Sequence, residues 1–319
     1  MLMDNIQHSV AESAKTIMAQ VRKAVIGKDD VLIWVLATML AKGHILLEDI
    51  PGVGKTTMAL AFSKALGLPC NRVQFTPDVL PSDVTGYSVL DAQTGEMSYR
   101  PGAVLCNLFL ADELNRATSR TQSALLEAME EGQVTVDGIS HKIPQPFIVI
   151  ATQNPTGAAG TQMLPDSQMD RFMVRLSLGY PSAADEAAMV ISRRGGNPLQ
   201  TMEALLSGDD LIALQQMVEN TYVGDVVTQY AVALIHATRN HPQIRQGASP
   251  RATLSVIALA KAVAQLRGRD YVLPEDISGV FIHVVSHRLQ LSDEASLRGI
   301  SPEKVLQKIL HSVKAPALR

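Results

Sequence analysis

The sequence has only two cysteines, no long apolar run and no large excess of charge of either sign. Cys70 and Cys106 have no metal-ligand spacing and no CxxC pattern, which is typical of reduced thiols in a cytoplasmic protein. The longest apolar stretch, residues 31–41, has roughly eleven residues and is too short to cross a bilayer. A net charge of −3 gives no basic footprint for nucleic acid, and the first residues do not resemble a secretory signal. We therefore expect a cytoplasmic protein without a membrane span or a nucleic-acid partner.

The length and the periodicity of the chain predict two domains. With 319 residues, of which 46% are hydrophobic, the chain can bury a large core. Short buried runs alternate with helical segments as far as Pro181, and only helical periodicity follows. The pattern predicts an α/β domain with a parallel sheet over residues 1–181 and an all-helical domain over residues 182–319.

Residues 44–57 have the pattern of a phosphate-binding loop, because an apolar strand enters a Gly/Pro loop that leads into a helix. In such a loop the backbone N–H groups converge on phosphate, Lys55 reaches the outer phosphates and Thr56 reaches Mg²⁺. The pattern departs from its usual form at Asp49, where a glycine is expected. The alternative is a plain strand–turn–helix corner. The predicted cofactor-binding residues are Asp49, Pro51, Gly52, Val53, Gly54, Lys55, Thr56 and Thr57.

Polar residues follow two further buried runs. Asp112 and Glu113 end an apolar strand, at the edge where parallel sheets place their ligands. Asp112 is predicted to hold Mg²⁺ through water, and Glu113 to deprotonate the attacking water. Asn154 follows the strand at residues 147–152 and could read the γ-phosphate. Alternatively, the acids only begin a loop and Asn154 only forms a turn.

Two arginines are candidates for charge stabilisation. Arg171 stands beside Asp170 and is either half of a local ion pair or an arginine finger that serves a neighbouring subunit. Arg251 follows Ser249 and Pro250, in the first turn of a predicted helix. Because a cation there opposes the helix dipole, its position predicts a nearby anion, although a surface arginine is the simpler interpretation.

Two surface elements interrupt the α/β pattern. Residues 76–102 are too long for an ordinary connection and are interpreted as a helix that carries a small β excursion, an insert at about residues 83–102. Asp137 and Gly138 lie between alternating residues and predict a β-hairpin at about residues 133–144. Gly86 and Tyr87 are the nearest candidate for an aromatic pore loop, but they are expected to pack within the insert.

Four motifs resemble the MoxR family of AAA+ ATPases in the same order. These are LEDIPGVGKT at residues 47–56, LADELNRA at residues 110–117, ATQNP at residues 151–155 and GASPR at residues 247–251. The resemblance covers nearly the whole chain, and the family often carries an acidic residue at the position of Asp49. It implies an AAA+ P-loop domain that is followed by a helical lid.

The resemblance also implies roles for individual residues. Lys55 and Thr56 match Walker A, and Asp112 and Glu113 match Walker B. Sensor 1, the arginine finger and sensor 2 match Asn154, Arg171 and Arg251, and a second trans candidate is Arg116. It leaves open whether Arg251 serves its own nucleotide or its neighbour's. It further identifies the insert and the hairpin as the two surface elements of the helix-2-insert branch.

The function that the resemblance implies is ATP hydrolysis with Mg²⁺ between the subunits of a ring, usually a hexamer, coupled to remodelling of a protein. The expected partner carries a von Willebrand factor A domain. The alternatives are a magnesium-chelatase-like motor subunit and a nucleotide-gated scaffold with little hydrolysis. The intact Glu113 argues against the scaffold, and a nucleic-acid motor is disfavoured because its hairpin would need more basic residues than His141 and Lys142.

Overall fold

A computed structural model describes residues 9–50, 52–91, 95–154 and 164–317. Pro51, one of the predicted cofactor-binding residues, lies outside the described residues. The helices are α1 (Val10–Val21), α2 (Asp29–Leu40), α3 (Lys55–Ala65), α4 (Pro81–Thr85), α5 (Ser119–Glu131), α6 (Asp166–Met169), α7 (Ala183–Ser192), α8 (Gly208–Glu219), α9 (Asp225–Arg239), α10 (Pro250–Leu266), α11 (Pro274–Val285), α12 (Asp293–Leu297) and α13 (Pro302–Ser312). The strands are β1 (Ile45–Glu48), β2 (Cys70–Gln74), β3 (Gly86–Leu90), β4 (Met97–Pro101), β5 (Leu108–Asp112), β6 (Gln133–Val136), β7 (Ile139–Lys142), β8 (Ile148–Gln153), β9 (Val174–Leu176), β10 (Ile244–Gln246) and β11 (Gln290–Leu291).

The main sheet is parallel and has the strand order β2-β5-β8-β1-β9. Every residue of β5 and of β8 is buried, as expected for central strands that helices cover on both faces. Because β5, β8 and β1 are neighbours, their carboxyl ends meet at one edge. The predicted parallel α/β fold is confirmed, and that edge brings residues 49–50, 52–54, 112–113 and 154 together.

The insert and the hairpin are two small antiparallel pairs outside the main sheet. The insert consists of α4 followed by the β3–β4 pair, which agrees with the predicted helix and β excursion. The hairpin pairs β6 with β7, and its turn residues Asp137 and Gly138 have positive φ angles of 50° and 79°. The two elements touch where the rings of Tyr99 and His141 stack with centroids 3.6 Å apart.

The C-terminal half is mainly helical, from α7 to α13, but the expectation of an all-helical lid is not exact. It also contains the antiparallel pair β10–β11 and a β-bridge between Tyr222 and Tyr271. These strands have three residues and two residues, which is too short for a periodic signal.

One hydrophobic core runs from the sheet into the lid. It joins the apolar faces of α1, α2 and α3 with one face of the sheet and with lid helices α8 to α11 and α13. The N-terminal helix α1 contacts both α3 of the main domain and lid helix α10. A second cluster on the other face of the sheet includes apolar residues of α4, α5 and the hairpin. In the part of the chain that the structure describes, no helix is long and apolar enough to cross a membrane.

Candidate functional site

The loop between β1 and α3 has the backbone of an anion-binding turn. Gly52 and Gly54 have φ angles of 88° and 97°, which L side chains rarely adopt, so this turn needs glycine. Gly54 is the N-cap residue of α3, and the free N–H groups of the first turn of α3 therefore follow it directly. This turn, the phosphate cradle, has a backbone geometry suited to hold an anion at the carboxyl edge of the sheet.

Lys55 is buried beneath this loop. Its Nζ donates hydrogen bonds to the carbonyl oxygens of Asp49, at 2.7 Å, and Ile50, at 3.3 Å. Burial lowers the pKa of Lys55, while the negative charges of Asp49, Asp112 and Glu113 oppose that shift. The ammonium group lies among loop carbonyls and acids, where it can neutralise an outer phosphate.

The Asp49 side chain is bonded to its own chain. The carboxylate accepts hydrogen bonds from the Ser177 hydroxyl at 2.8 Å and from the backbone N–H groups of Leu178 at 2.5 Å and Gly179 at 3.0 Å. An acid at this position therefore holds the loop to the segment that follows β9. The assignment of Asp49 to the cofactor site stays a prediction, and its carboxylate has three donors from its own chain.

Asp112 and Glu113 lie at the end of β5. Each oxygen of Asp112 accepts one hydrogen bond, Oδ1 from the Thr152 hydroxyl at 2.6 Å and Oδ2 from Arg72 at 2.8 Å. Thr152 Oγ1 also accepts the backbone N–H of Glu113 at 2.8 Å. Glu113 has a φ of 56°, an uncommon angle for a residue with a side chain, and a strained residue at a strand end is typical of functional sites.

The Glu113 carboxylate is held by its own chain. Oε2 accepts a hydrogen bond from Arg116 at 3.0 Å, and Oε1 accepts one from Asn154 Nδ2 at 3.3 Å. Although burial raises it, the hydrogen bonds from Arg116, Asn154 and Gln74 hold the pKa of Glu113 below its usual value. Arg116, predicted as a second trans arginine, thus pairs with the acid of its own subunit.

Asn154 has an open acceptor. Its backbone N–H and C=O groups bond to the side chain of Asn115, at 3.4 and 3.2 Å, which fixes its position at the end of β8. Its side-chain Oδ1 is buried and has no hydrogen-bond partner among the residues that the structure describes. A buried amide oxygen without a donor is costly, so this atom is suited to accept a hydrogen bond from a bound molecule or water.

These groups surround one cavity of about 330 Å³ at the carboxyl edge of the sheet. The sequence did not single out Arg72, Gln74 and Thr152. The only local signal is that these polar residues stand in or at the end of strands, Arg72 and Gln74 in β2 and Thr152 in β8. The cavity is lined by Gly52, Gly54, Lys55, Thr56, Thr57, Arg72, Gln74, Asp112, Glu113 and Asn154.

The protein oxygens in the cavity are suited to bind Mg²⁺ together with phosphate oxygens, and not alone. Thr56 offers a hydroxyl and Asp112 a carboxylate, and oxygen ligands are the ones that Mg²⁺ prefers. Within residues 9–50, 52–91, 95–154 and 164–317, no cluster of three or more His, Cys, Asp or Glu side chains could hold a metal ion alone. Mg²⁺ commonly binds through one or two protein oxygens together with substrate phosphates, and this donor set matches that mode.

Arg171 and Arg251 meet each other away from this cavity. Both donate to Glu130 at the end of α5, Arg171 Nε at 2.8 Å to Oε2 and Arg251 to Oε1. The hydrogen bond from Arg171, followed by that from Arg251, lowers the pKa of Glu130. Glu130 is the anion that the position of Arg251 in the first turn of α10 predicted.

This arginine pair lies at the amino edge of the sheet. Arg171 precedes β9, which runs parallel to β1, and the Met173 N–H donates to the carbonyl of His44, the residue before β1, at 2.8 Å. His44 also lines the small cavity that contains Arg171 and Arg251. The phosphate loop follows β1, whose four residues span about 13 Å at ~3.3 Å each. The two arginines and the phosphate cradle therefore lie at opposite ends of the same strand.

A second cavity, of about 380 Å³, opens beside residues 27–31 and Leu178. Lys28 Nζ donates to the carbonyl oxygens of Leu178, at 2.5 Å, and Tyr180, at 2.8 Å. Gly27 has a φ of 72°, which L side chains rarely adopt, and a Cβ atom there would lie 2.1 Å from Asp185 Cγ of α7. The cavity provides space for a ligand.

Comparisons with known proteins agree with this geometry. The model of the ATPase family associated with various cellular activities (AAA) matches residues 44–174, and the AAA lid domain model matches residues 236–309. The uncharacterized protein YeaC of Bacillus subtilis is 46% identical over 299 residues, which cover 94% of this chain and 93% of YeaC. The chaperone MoxR1 of Mycobacterium tuberculosis is 40% identical over 306 residues, which cover 93% of this chain and 81% of MoxR1.

A solved structure has the same fold over nearly the whole chain. The crystal structure of an ATPase candidate from Cytophaga hutchinsonii superposes with a TM-score of 0.89 and 34% sequence identity. The match covers 97% of this chain and 96% of the other. The shared fold therefore includes the cavity edge, the insert and the lid.

Proposed function

Since the chain belongs to the MoxR-type AAA+ ATPases, we propose that it hydrolyses ATP at the interfaces of a homo-oligomeric ring and uses the energy to remodel a protein partner. One observation carries the proposal. The phosphate cradle with its acids lies at the carboxyl edge of the sheet, while Arg171 and Arg251 lie paired at the amino edge. One subunit cannot bring both sets to one nucleotide, but a head-to-tail ring apposes the two edges of adjacent subunits.

Binding depends on positive charge and on backbone donors. The loop N–H groups, the N-terminus of α3 and Lys55 neutralise the phosphates, and Thr56 with Asp112 would hold Mg²⁺. When bound, Mg²⁺ neutralises charge on the β- and γ-phosphate oxygens. The cavity beside Gly27 and Leu178 accepts the adenine.

Glu113 and Asn154 act on the attacking water. Glu113 accepts its proton, and the free Oδ1 of Asn154 accepts a second hydrogen bond that aims the water at the γ-phosphate. The hydrogen bonds that lower the pKa of Glu113 keep this carboxylate ionised and in position at neutral pH. Arg72 forms an ion pair with Asp112 Oδ2 and balances the charge of that carboxylate.

Arg171 and Arg251 complete the neighbouring site in trans. An arginine that stabilises the transferring phosphoryl group is worth roughly 10³ to 10⁵ in rate. Glu130 holds both guanidinium groups together in the free subunit, so they are presented to the neighbour as one unit. Because Arg171 and Arg251 both bind Glu130, we assign Arg251 to the neighbour's nucleotide as well.

The remodelled partner would contact the insert and the hairpin. Leu90 and Met97 of the insert and Ile139 of the hairpin are more than half exposed, which is unusual for large apolar side chains. Following the MoxR resemblance, we propose a hexameric ring in the cytoplasm whose partner carries a von Willebrand factor A domain. A direct test is whether such a protein from the same genome raises the rate of ATP hydrolysis.

The proposal is tested by measuring ATP turnover per subunit against protein concentration, beside the mass of the assembly with ATP present. We expect turnover to rise as rings form. Arg171→Ala should lower kcat by about 10³-fold with little change in nucleotide affinity, because its side chain lies outside the subunit's own cavity.

The matched control is Arg298→Ala, because Arg298 is 68% exposed and pairs only with Glu294 on its own helix in the described structure. This variant should hydrolyse ATP normally. Turnover that does not depend on concentration, in a protein that stays monomeric, would contradict the ring. Full activity of Arg171→Ala would exclude Arg171 as the finger.

A further inference from the structure

Arg288 is a buried arginine that takes no part in the nucleotide cavity. Its side chain is 2% exposed, and it belongs to the short 3₁₀ turn Ser286–Arg288 after lid helix α11. Nε donates to Asp170 Oδ1 at 2.6 Å, and the other donors bond to four backbone carbonyls and to the Ser255 hydroxyl. A buried charge is retained only when such partners compensate its desolvation, so these contacts define what Arg288 does.

Most of these contacts are with the segment that carries Arg171. Nη2 donates to the carbonyls of Asp170, at 3.1 Å, and Phe172, at 2.8 Å, and Nη1 donates to the carbonyl of Met173 at 3.1 Å. The neighbouring His287 is also buried, and its Nε2 lies 3.0 Å from the same Phe172 carbonyl. Two adjacent lid residues, His287 and Arg288, therefore hold the backbone on both sides of Arg171 by hydrogen bonds.

Asp170 also connects these contacts to the helix that carries Arg251. While Oδ1 of Asp170 binds Arg288, Oδ2 accepts a hydrogen bond from the Ser249 hydroxyl at 2.9 Å. Ser249 is the N-cap residue of α10, and Arg251 lies in the first turn of that helix. The Asp170–Arg288 ion pair thus fixes the backbone from which both arginines extend, and Glu130 joins their guanidinium groups.

We propose that Arg288 is a positioning residue for the arginines that each subunit supplies to its neighbour. This inference rests on the proposed function. Arg171 and Arg251 are long side chains that must reach a nucleotide on another chain, and transition-state contacts lose their effect when misplaced by about 1 Å. The Asp170–Arg288 pair removes this freedom at the base of each side chain. The ion pair therefore affects hydrolysis at the neighbour's nucleotide site and not at the site of its own subunit.

The experiment mixes two defective subunits. Arg288→Lys keeps the charge but loses the planar fork that binds four carbonyls and a carboxylate at once. Its own nucleotide cavity is unchanged. Glu113→Gln removes the catalytic acid but leaves both arginines in place. In a mixed ring, Glu113→Gln subunits supply well-held arginines to the intact cavities of Arg288→Lys subunits.

We expect Arg288→Lys alone to lose at least 10-fold in kcat while its nucleotide affinity changes by less than about threefold. Mixing it with Glu113→Gln, itself inactive, should raise turnover several-fold above the sum of the two separate proteins. Ser249→Ala removes a single hydrogen bond to Asp170, and it should show a milder kcat defect that the same mixing relieves. Arg298→Lys, with its exposed side chain, should behave as the unmodified chain does.

Each outcome separates this inference from the proposed function. The reference mixture is Arg171→Ala with Glu113→Gln. If that mixture gains no activity, the sites are not completed in trans and the proposed function itself fails. If it gains activity and the Arg288→Lys mixture does not, Arg288 supports its own subunit and the inference is wrong. Should Arg288→Lys fail to fold, Ser249→Ala decides the question, and an unimpaired kcat or a lack of complementation there overturns the inference.

Discussion

Thr152 shows how one hydroxyl can organise an acidic site. It is fully buried at the end of β8, where it donates to Asp112 Oδ1 at 2.6 Å and accepts the Glu113 N–H at 2.8 Å. The same oxygen therefore orients the predicted Mg²⁺ ligand and the backbone of the predicted base. Because Glu113 has a positive φ, the hydrogen bond to its N–H also supports a strained conformation.

Thr152→Val should lower kcat by about 10- to 100-fold and raise the Mg²⁺ concentration needed for half-maximal activity, because small misplacements of catalytic groups are costly. The change keeps the shape but leaves the Glu113 N–H unsatisfied, at a cost of about 1–3 kcal/mol in stability. Steady-state kinetics at several Mg²⁺ concentrations and thermal unfolding measure both effects. Thr38→Val is the control, since Thr38 is equally buried but its hydroxyl bonds only to the Trp34 carbonyl within α2 in the described structure. Equal activity of the two variants would show that Thr152 is not needed.

At the scale of elements, the insert joins the body through two glycines in contact. A Cβ atom on Gly102 would lie 2.2 Å from the Gly86 N and 2.3 Å from the Val84 carbonyl oxygen. On Gly86, whose φ is 93°, it would lie 2.4 Å from the Arg100 carbonyl oxygen. These are backbone atoms that cannot rotate away, so the chain enters and leaves the insert through a gap that only glycine fits.

Gly102→Ala should loosen the insert while the nucleotide cavity keeps its affinity, because the β3–β4 pair lies outside the main sheet. Hydrogen exchange of the amides in residues 86–91 and 95–101 should become at least 10-fold faster, as expected when a local unit opens more easily. Gly195→Ala is the control, since a Cβ atom there meets nothing within 4 Å. Unchanged exchange in the insert would mean that the glycine contact does not hold it.

Elements with a local signal could be predicted from the sequence, and elements that depend on a remote partner could not. The runs that became β5 and β8 are apolar enough to be recognised alone, and the Asp137–Gly138 turn defines its hairpin. By contrast, β10 pairs with β11, whose residues lie more than forty positions later. The same distinction applies to the site residues. Lys55 and Glu113 could be predicted because they belong to local motifs. The burial of Arg288 becomes evident only when the lid lies against residues 170–173.

At the scale of the whole molecule, the sheet and the lid share one core. Apolar residues of α2 and of lid helices α10 and α11 belong to the same cluster, and α10 packs against α2. The only tryptophan of the chain, Trp34, lies on α2, with its ring centroid 4.3 Å from that of His283 on α11. Its fluorescence therefore reports the contact between the two halves, while far-UV circular dichroism reports the helices of both.

The two predicted domains should therefore unfold as one cooperative unit in the nucleotide-free protein. Leu259→Ala, a truncation on the fully buried face of α10, should lower the free energy of unfolding by about 2–5 kcal/mol. The tryptophan and circular dichroism transitions should shift by the same amount, because the cavity weakens a core that both halves share. Leu254→Ala is the control on the same helix, since Leu254 is 71% exposed and its loss should change little. If the two probes separate in urea, the lid unfolds independently, and a boundary near residue 181 is then thermodynamic as well as topological.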